Sequence, residues 1–307
     1  MNIKVLEKIE MTKEQIKLIE NLGTVNWFEN STKEECKERI NGADVVVVDW
    51  IDPSSFILSM KSPSLLALMS TGFAWIQHRD EAKSKNILIS NIPGYATEAV
   101  AEHVIGLALC VARKTMIGDR NIRAGNKEKG YLKGIELRNR RMGIIGLGRI
   151  GNRVAEIAKP FGMEVVTYNR HPKKKKDIAD LPLVELLSSS DLVCICCPLN
   201  EDSKGMLNKE RLNFMKKDAI LIWVTWDVVV LDDLIFTLKS GHLRGIGFDV
   251  AIEGGEIILP EDLLRLDNVV LTPHIGYNTF EAKIRQVDIC IDNIEAFKMG
   301  KPINIIN

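Results

Sequence analysis

The stretch MGIIGLGRIGNRVAEIAKPFGMEVVTYNR, Met142–Arg170, determines the fold that the sequence predicts. It reads as an apolar strand, a tight glycine turn, a helix and a second strand. Gly146 permits the sharp turn, Gly148 lets the backbone approach a ligand without an intervening Cβ, and Gly151 lets helix and strand pack closely. Because helix N–H groups and the positive end of the helix dipole face such a turn, the stretch predicts a binding site for the pyrophosphate of a dinucleotide.

The end of the second strand indicates which dinucleotide binds. A site that prefers NAD has Asp or Glu there, about 20 residues after the glycines, to accept hydrogen bonds from the ribose hydroxyls. This chain has Asn169-Arg170. Without the carboxylate a 2′-phosphate is not repelled, and a guanidinium can bind that phosphate bidentately. The sequence therefore predicts NADP, with NAD as the alternative, and the lysines at 173–176 are interpreted as a solvated loop.

Length and charge limit the classes of function. The chain has 307 residues, which suits two domains, and its 41 basic side chains balance 41 acidic ones. A neutral chain without a basic face argues against a nucleic-acid partner. No apolar run approaches the roughly 18 residues of a membrane span, and the N-terminus lacks the core of a signal peptide. We expect a cytoplasmic protein without a membrane partner.

The six cysteines do not form the pairs that a metal site requires. Cys194, Cys196 and Cys197 follow one another in an apolar strand that ends at Pro198, and they lack the C-x₂-C spacing of a zinc site. We interpret them as small buried hydrophobes in a reducing compartment, and we expect no metal.

The first hundred residues alternate between strand and helix patterns. The run ADVVVVDW at 43–50 is almost continuously apolar, which is typical of a parallel strand covered on both faces. Helices are predicted over 12–21, capped by Thr12, and over 32–40, capped from Ser31. Strands are predicted over 4–6, 25–28, 65–69 and 87–90. Repeated units of this kind predict a small doubly wound domain.

The remaining chain continues the alternation after Pro93-Gly94. A long helix from Thr97 to about Met116 has almost no charge along its middle, so we expect it to be buried between domains or subunits. A second long helix is predicted over 279–299, and the tail at 302–304 has the pattern of an edge strand of the first domain. Further strands are predicted over 192–196, 219–224, 245–249 and 269–271.

Four motifs, read together, resemble the D-isomer-specific 2-hydroxyacid dehydrogenases, which include the glyoxylate/hydroxypyruvate reductases. They are NIPGYATEAVAEH at 91–103, MGIIGLGRIG at 142–151, CPL at 197–199 and LTPHIG at 271–276. The resemblance covers nearly the whole chain. It implies an α/β fold of two doubly wound parallel-sheet domains: a Rossmann cofactor domain, 99–275, inserted in a flavodoxin-like substrate domain, 1–98 and 276–307. It also implies a cleft that closes on a small-molecule substrate, and a homodimer.

The resemblance and the glycine turn together imply which residues contact the cofactor. Asp249 matches the family's aspartate near the nicotinamide carboxamide, and Ser70, Thr71 and Gly72 match a turn whose N–H groups bind substrate oxygens. The expected cofactor contacts are Gly146, Gly148, Arg149, Ile150, Gly151, Asn169, Arg170, Cys197, Pro198, Thr225, Asp249, His274 and Gly276.

The chemistry of the family needs an Arg that clamps the substrate carboxylate, a His that protonates the carbonyl oxygen, and a Glu that raises the pKa of that His. His274, just past an apolar strand, is the expected acid/base. The expected position of the Glu falls at Gly254, with Glu253 and Glu256 on either side. We take Glu256 as the candidate partner of His274, with Glu253 as the alternative.

The Arg-Gly pair of the family is replaced here by Trp226-Asp227. An indole offers one N–H donor and no charge, so it does not replace a bidentate guanidinium. We therefore expect a substrate other than a simple 2-hydroxy acid, in a pocket lined by Trp226 and Trp50. Such walls suit a bulky, cationic or imine substrate through cation–π attraction of about 0.5–2 kcal/mol. Asp49 and Asp227 would also favour positive charge, whereas Trp75 and Trp223 are interpreted as core residues.

A second interpretation is a protein that is not an enzyme. The fold can keep nucleotide binding and domain closure without turnover, and so serve as a sensor or scaffold. Loss of two of the three catalytic side chains favours this alternative. Retention of His274 favours an enzyme, because a protein that only binds needs no proton donor there.

Overall fold

The computed structural model describes residues 1–73, 75–172, 175–225, 227–249 and 259–307. The chain divides into two compact units, of which the first comprises Met1–Ala96 with Asn278–Asn307 and the second comprises Thr97–Tyr277. The boundaries predicted from the sequence, after residue 98 and before residue 276, each lie two residues inside the second unit.

The first unit contains a parallel five-stranded sheet of order β2-β1-β3-β4-β5. All four residues of β3 and all five of β4 are buried, because helices cover both faces of a doubly wound sheet. The order reverses between β1 and β3, and ligands bind at the carboxyl ends of the strands at such a point. Its strands are β1 Asn2–Val5, β2 Thr24–Trp27, β3 Val45–Val48, β4 Ser64–Leu68 and β5 Ile87–Ser90, and its first helices are α1 Lys13–Leu22, α2 Lys33–Arg39 and α3 Arg79–Ser84.

Capping residues explain where the first two helices begin. Thr12 caps α1 as predicted, since its hydroxyl accepts the N–H of Gln15 at 3.2 Å while the Gln15 side chain accepts the N–H of Thr12 at 3.0 Å. The prediction that Ser31 caps α2 was wrong. Thr32 caps that helix through the same reciprocal arrangement with Glu35, and the Ser31 hydroxyl donates to the carbonyl of Leu6 instead.

The second unit contains a parallel seven-stranded sheet of order β12-β11-β10-β9-β6-β7-β8. This order reverses between β6 and β9, which is the switch point of a Rossmann sheet. The two sheets confirm the predicted fold class. The strands are β6 Arg141–Ile145, β7 Glu164–Tyr168, β8 Ala179–Asp180, β9 Leu192–Ile195, β10 Ile220–Trp223, β11 Gly245–Asp249 and β12 Val269–Thr272, and the helices are α4 Thr97–Arg113, α5 Thr115–Arg123, α6 Arg149–Ala158, α7 Leu183–Ser189, α8 Lys209–Phe214, α9 Leu231–Lys239 and α10 Glu261–Leu264.

Helix α4 is shorter than predicted because Lys114 adopts a left-handed backbone, φ 53°, that ends it before α5 begins. Its buried residues pack against α6, β10 and β11 of the second unit. The apolar middle of the helix is therefore explained by packing within its own unit.

The C-terminal segment returns to the first unit as helix α11, Phe280–Lys298. Gln286 of this helix donates to the carbonyl of Met69 at 2.5 Å, which joins α11 to the end of β4. The tail does not form the predicted edge strand. It makes a single antiparallel bridge between Ile305 and Ser90, with Asn91 donating to the carbonyl of Asn304 at 3.1 Å.

The tryptophans divide differently from the prediction. Trp223 is fully buried and stacks on Phe248 with ring centroids 4.1 Å apart, which confirms its assignment to the core. Trp75 is 44% exposed, so its assignment to the core was wrong.

Among the described residues, no helix is both long and apolar enough to span a bilayer.

Candidate active site

The glycine turn joins three elements at the switch point of the second sheet. A Cβ on Gly151 would lie 2.2 Å from the carbonyl oxygen of Gly146, and a Cβ on Gly146 would lie 2.7 Å from the backbone of Cys197. Gly146 also has φ +96°, a conformation that favours glycine. These two glycines are therefore required by the packing of β6, α6 and the end of β9.

Gly148 differs from the other two glycines because no atom lies within 4 Å of a Cβ built on it. It is the N-cap of α6, a helix of ten residues, so open space lies beside the N-terminus of that helix, where the first N–H groups have no partner within the helix. Arg149 is exposed and Ile150 half-buried in the first turn of the helix. This arrangement fits the pyrophosphate of a dinucleotide.

Asn169 and Arg170 have different roles at the end of β7. The Asn169 side chain accepts the N–H of Leu147 at 2.7 Å and donates to Asp180 at 3.3 Å, so it holds the glycine turn in place. Arg170 is exposed, and its guanidinium pairs with the carboxylate of Asp202. Arg170 therefore presents an exposed positive charge at this strand end, whereas Asn169 is neutral and bonded to the turn.

Lys175 of the lysine run is connected to the glycine turn through Asn152 of α6. Its ammonium donates to Asn152, whose amide donates to the carbonyls of Leu147 at 3.1 Å and Gly148 at 2.7 Å. Lys176 is exposed, as a solvated loop predicts, and residues 173 and 174 lie outside the described residues.

The ends of β9 and β10 form the next part of the same sheet edge. Thr225 donates its hydroxyl hydrogen to the carbonyl of Cys197 at 2.9 Å, and Ser203 donates to the carbonyl of Pro198 at 2.8 Å. Burial, helped by the neighbouring Cys196, raises the pKa of the Cys197 thiol to about 11. That thiol is therefore protonated at neutral pH, as expected for a packing residue.

The other cysteines are also unpaired thiols, as the sequence predicts for small apolar residues. Cys194 is buried, Cys196 is half-buried, and all six cysteines are thiols. No group of three or more His, Cys, Asp or Glu side chains within the described ranges is arranged to hold a metal ion.

Asp249 organises the loop that follows β12. Its Oδ1 accepts the Thr272 hydroxyl at 2.6 Å and the N–H of Ile275 at 3.0 Å, and its Oδ2 accepts the N–H of Gly276 at 2.8 Å. Burial favours the neutral acid, but the nearby His103 imidazole and the hydrogen bonds from Thr272 and the two N–H groups outweigh burial and lower the pKa of the carboxyl below its ordinary value. Asp249 is therefore a charged anchor for residues 272–276.

His274 lies in the middle of that anchored loop and is exposed. Its backbone is left-handed, φ 52°, and its N–H donates to the carbonyl of Thr272 at 3.0 Å. The ring of Tyr277 meets the imidazole edge-on with centroids 5.5 Å apart. Left-handed non-glycine residues cluster at functional sites, where the surrounding structure holds them. The predicted partners Glu253 and Glu256, and the predicted pocket residue Trp226, lie outside the described residues.

In the first unit, the turn after β4 is fixed by polar contacts. The Thr71 hydroxyl donates to the carbonyl of Ile92 at 2.9 Å, and the Asn91 amide donates to the carbonyl of Thr71 at 2.8 Å. Ser70 donates its hydroxyl hydrogen to the carbonyl of Gly72 at 2.9 Å. Within the described part of the chain, the N–H groups of Ser70, Thr71 and Gly72 make no hydrogen bond.

The switch point of the first sheet carries two carboxylates. Glu7, after β1, accepts the N–H groups of Asp49, Trp50 and Ile51 at 2.7, 3.0 and 3.1 Å. Burial raises the pKa of Asp49 to about 6; Lys283 opposes this shift and Glu7 adds to it. Trp50, the predicted pocket residue of this unit, is 66% exposed.

A family model described as "D-isomer specific 2-hydroxyacid dehydrogenase, NAD binding domain" matches residues 105–276, more than half of the chain. The chain belongs to this family. Glyoxylate reductase of Pyrococcus furiosus is 39% identical to it over 241 residues, which span 74% of this chain and 71% of the relative. Glyoxylate reductase of Thermococcus onnurineus is 33% identical and covers 100% of this chain and 96% of its own.

Solved structures of the 2-hydroxyacid dehydrogenase fold are similar over the whole chain. An acyclic imino acid reductase in complex with NADPH and D-Arg has a TM-score of 0.89, 30% identity and 100% coverage of both chains. D-2-hydroxyisocaproate dehydrogenase has a TM-score of 0.87 at 25% identity. These comparisons confirm that the protein is an NAD(P)-dependent oxidoreductase with a nicotinamide cofactor.

Three residues at these sites were not identified as functional from the sequence. His103 contacts Thr272 at 2.9 Å, Asp202 pairs with Arg170, and Asn152 joins Lys175 to the glycine turn. His103 lies in the motif at 91–103 and Thr272 in the motif at 271–276, but nothing in the sequence indicates that the two side chains are in contact. Asp202 lies in a polar loop without a recognisable pattern.

Gly148 and Gly151 provide a matched pair of variants. Gly151→Ala should lower the free energy of unfolding by about 1–3 kcal/mol, because its methyl group meets the Gly146 carbonyl. Gly148→Ala should change stability by less than about 0.5 kcal/mol but weaken NADPH binding at least tenfold, because its methyl group enters the open space. Calorimetry and NADPH fluorescence measure the two effects. Unchanged NADPH affinity in Gly148→Ala would show that this space does not hold the cofactor.

Asp49 predicts a pH dependence of stability. Its pKa in the folded chain, about 6, is above the ordinary 3.8, so the ionised carboxylate destabilises the fold above that pH. This destabilisation disappears as the pH falls through 6 toward 4. Asp49→Asn should therefore be more stable than the native protein at pH 8, by on the order of 1–3 kcal/mol, and equal to it near pH 4. Scanning calorimetry across this range measures the difference.

Asp44→Asn is the control for Asp49→Asn because its pH dependence has the opposite sign. The hydrogen bond from Lys61, with a further one from the N–H of Asn2, lowers the pKa of Asp44 despite partial burial. Asp44 therefore stabilises the fold above its ordinary pKa, and this stabilisation is lost as the pH falls. Asp44→Asn should be less stable than the native protein at pH 8. Parallel shifts of both variants at all pH values would contradict these assignments.

Proposed function

We propose that the protein is an NADP-dependent reductase that acts on a C=N or C=O bond of a substrate other than a simple 2-oxo acid, with His274 as the proton donor. The observation that carries this proposal is the loop at 272–276, which the charged carboxylate of Asp249 holds on both sides of His274. An exposed imidazole on an anchored loop can meet a substrate without a prior rearrangement.

The preference for NADP rests on Arg170. The carboxylate that would select the ribose hydroxyls of NAD is absent from the end of β7, and the Asn169 side chain is already bonded to the glycine turn. Arg170 is 60% exposed on its side chain, and its partner Asp202 is 65% exposed. Since exposed ion pairs contribute only about 0–1 kcal/mol, a 2′-phosphate can displace Asp202 from the guanidinium. The imino acid reductase of similar structure was solved with NADPH.

The proposed substrate class rests on the residues that replace the carboxylate-binding Arg of the family. Trp226 stands where the family has its carboxylate-binding Arg, and an indole cannot make that bidentate contact. In the first unit, Asp49 and the exposed Trp50 follow β3 at the switch point. A carboxylate whose pKa is raised by burial at the switch point of a sheet is typical of a functional site. A carboxylate and an indole favour a cationic group, and the imino acid reductase of similar structure was solved with D-Arg.

The chain's own groups supply the proton chemistry of the proposed reaction. A bound NADPH would provide the hydride, which adds to the carbon of the C=N or C=O bond. The electron pair of that bond moves to nitrogen or oxygen, and the His274 ring N–H gives its proton to that atom. An amine or an alcohol results, and the imidazole is reprotonated from solvent.

Reduction of glyoxylate or hydroxypyruvate is the second candidate function. The identity of 39% with the glyoxylate reductase of Pyrococcus furiosus favours it. The Trp226-Asp227 pair argues against it, because loss of a charge-assisted double hydrogen bond weakens both binding and activation of a 2-oxo acid.

The homodimer and the cytoplasmic location stay predictions.

A binding titration tests the cofactor preference. NADPH should bind at least tenfold more tightly than NADH, since Arg170 adds charge-assisted hydrogen bonds to the phosphate. Arg170→Gln should weaken NADPH at least tenfold and leave NADH within about twofold. Asp202→Asn should tighten NADPH by up to about fivefold because the competing carboxylate is removed. Arg123→Gln, which breaks the exposed pair with Asp119, is the control and should change neither affinity. Equal or tighter binding of NADH by the native protein would refute the preference.

A reductase screen with NADPH tests the substrate class. Imines formed from 2-oxo acids and amines, ketones, glyoxylate and hydroxypyruvate are compared by kcat/KM, and we expect an imine or a ketone with a cationic group to be the best. His274→Ala should lower kcat about 100-fold or more, whereas His78→Ala, an exposed histidine of the first unit, should not. Trp226→Arg should raise activity on glyoxylate.

Two outcomes of the screen would overturn the proposal in different ways. If the native protein reduces glyoxylate or hydroxypyruvate at least as efficiently as any imine, the second candidate function is correct. If His274→Ala retains full turnover on the best substrate, another group is the proton donor.

A further inference from the structure

A chain of three hydrogen-bonding groups leads from helix α4 to the loop at 272–276. His103 Nε2 lies 2.9 Å from Thr272 Oγ1, and Thr272 Oγ1 lies 2.6 Å from Asp249 Oδ1. The direct distance from His103 Nε2 to Asp249 Oδ1 is 3.6 Å. The imidazole therefore reaches the carboxylate mainly through the threonine hydroxyl.

The direction of each bond in this chain is fixed by chemistry. The charged carboxylate of Asp249 only accepts, so the Thr272 hydroxyl must give it its single hydrogen. The same hydroxyl can then only accept from His103, whose Nε2 must carry a hydrogen. The contact therefore excludes the tautomer that carries a hydrogen only on Nδ1, because that tautomer would place two acceptors opposite each other.

Packing at Gly276 provides an independent observation on the same residue. A Cβ on Gly276 would lie 2.8 Å from Asp249 Oδ2 and 3.3 Å from His103 Cδ2. The imidazole, the carboxylate and the loop backbone thus meet without space for a methyl group. The His103 side chain is 20% exposed, so most of it belongs to this packed assembly.

We propose that His103 is a positioning residue for His274. It fixes the Thr272 hydroxyl, which fixes the Asp249 carboxylate, and that carboxylate holds the N–H groups of Ile275 and Gly276 beside His274. This inference rests on the proposed role of His274 for its effect on turnover. Its structural part, the anchoring of residues 272–276 by a donor on α4, does not depend on that role.

Hydrogen exchange in the cofactor-free protein tests the structural part. His103→Leu removes the donor, and the amides of Ile275 and Gly276 should then exchange about tenfold faster or more, because their acceptor loses its orientation. His103→Gln keeps an N–H donor of similar reach and should restore exchange to within about twofold of native. Thr272→Val should reproduce the effect of His103→Leu, and Thr272→Ser should not.

Kinetics with the best substrate and NADPH test the consequence for His274. His103→Leu should lower kcat about tenfold while the Kd for NADPH stays within about twofold, and His103→Gln should recover most of kcat. Combining His103→Leu with Thr272→Val should add little to either single change, since both break one chain.

Different failures identify different errors. Native exchange at Ile275 and Gly276 in His103→Leu would overturn the inference, as would a His103→Gln variant impaired as much as His103→Leu. If His103→Leu does not fold, the Thr272→Val and Thr272→Ser pair decides the same question. If exchange rises as expected but His274→Ala keeps full turnover, the anchoring stands and the proposed proton donor is wrong.

Discussion

The close approach of helix α6 to strand β6 is the constraint on which the second unit depends. The Gly151 backbone leaves no room for a methyl group beside the Gly146 carbonyl, and Gly146 leaves none beside the backbone of Cys197. Asn169 fastens the turn to the end of β7 through the N–H of Leu147. Three neighbouring strands therefore end at one turn, which leaves open space beside Gly148. Backbone packing, more than any single side chain, positions the groups that can meet a nucleotide.

A buried carboxylate, Asp249, and a half-buried one, Asp49, show how the environment of a carboxylate sets its charge and its effect on the fold. Asp249 is surrounded by donors that lower its pKa, so it remains charged and orders the loop that carries His274. Burial raises the pKa of Asp49 to about 6; Lys283 opposes this shift and Glu7 adds to it. The first carboxylate stabilises a geometry. The second destabilises its unit at neutral pH, and a cationic ligand would offset that cost.

The sequence predicted the fold well because its signals are local. Continuous apolar runs such as 45–48 identify parallel strands, and the spacing of Gly146, Gly148 and Gly151 identifies the turn between β6 and α6. The errors arose where a neighbour decides the outcome. Thr32 rather than Ser31 caps α2, Lys114 ends α4 through its own backbone, and Trp75 is exposed although it is aromatic. The role of His103 depends on contacts with residues more than a hundred positions away, which no local pattern encodes.

Hydrogen exchange measured by mass spectrometry with and without NADPH is the most direct test of the central claim. NADPH should slow exchange in peptides that contain the glycine turn and the first turn of α6, residues 146–152. NADH at the same concentration should protect these peptides less. Unchanged exchange there, or protection confined to other strands, would contradict the assignment of this turn as the nucleotide site.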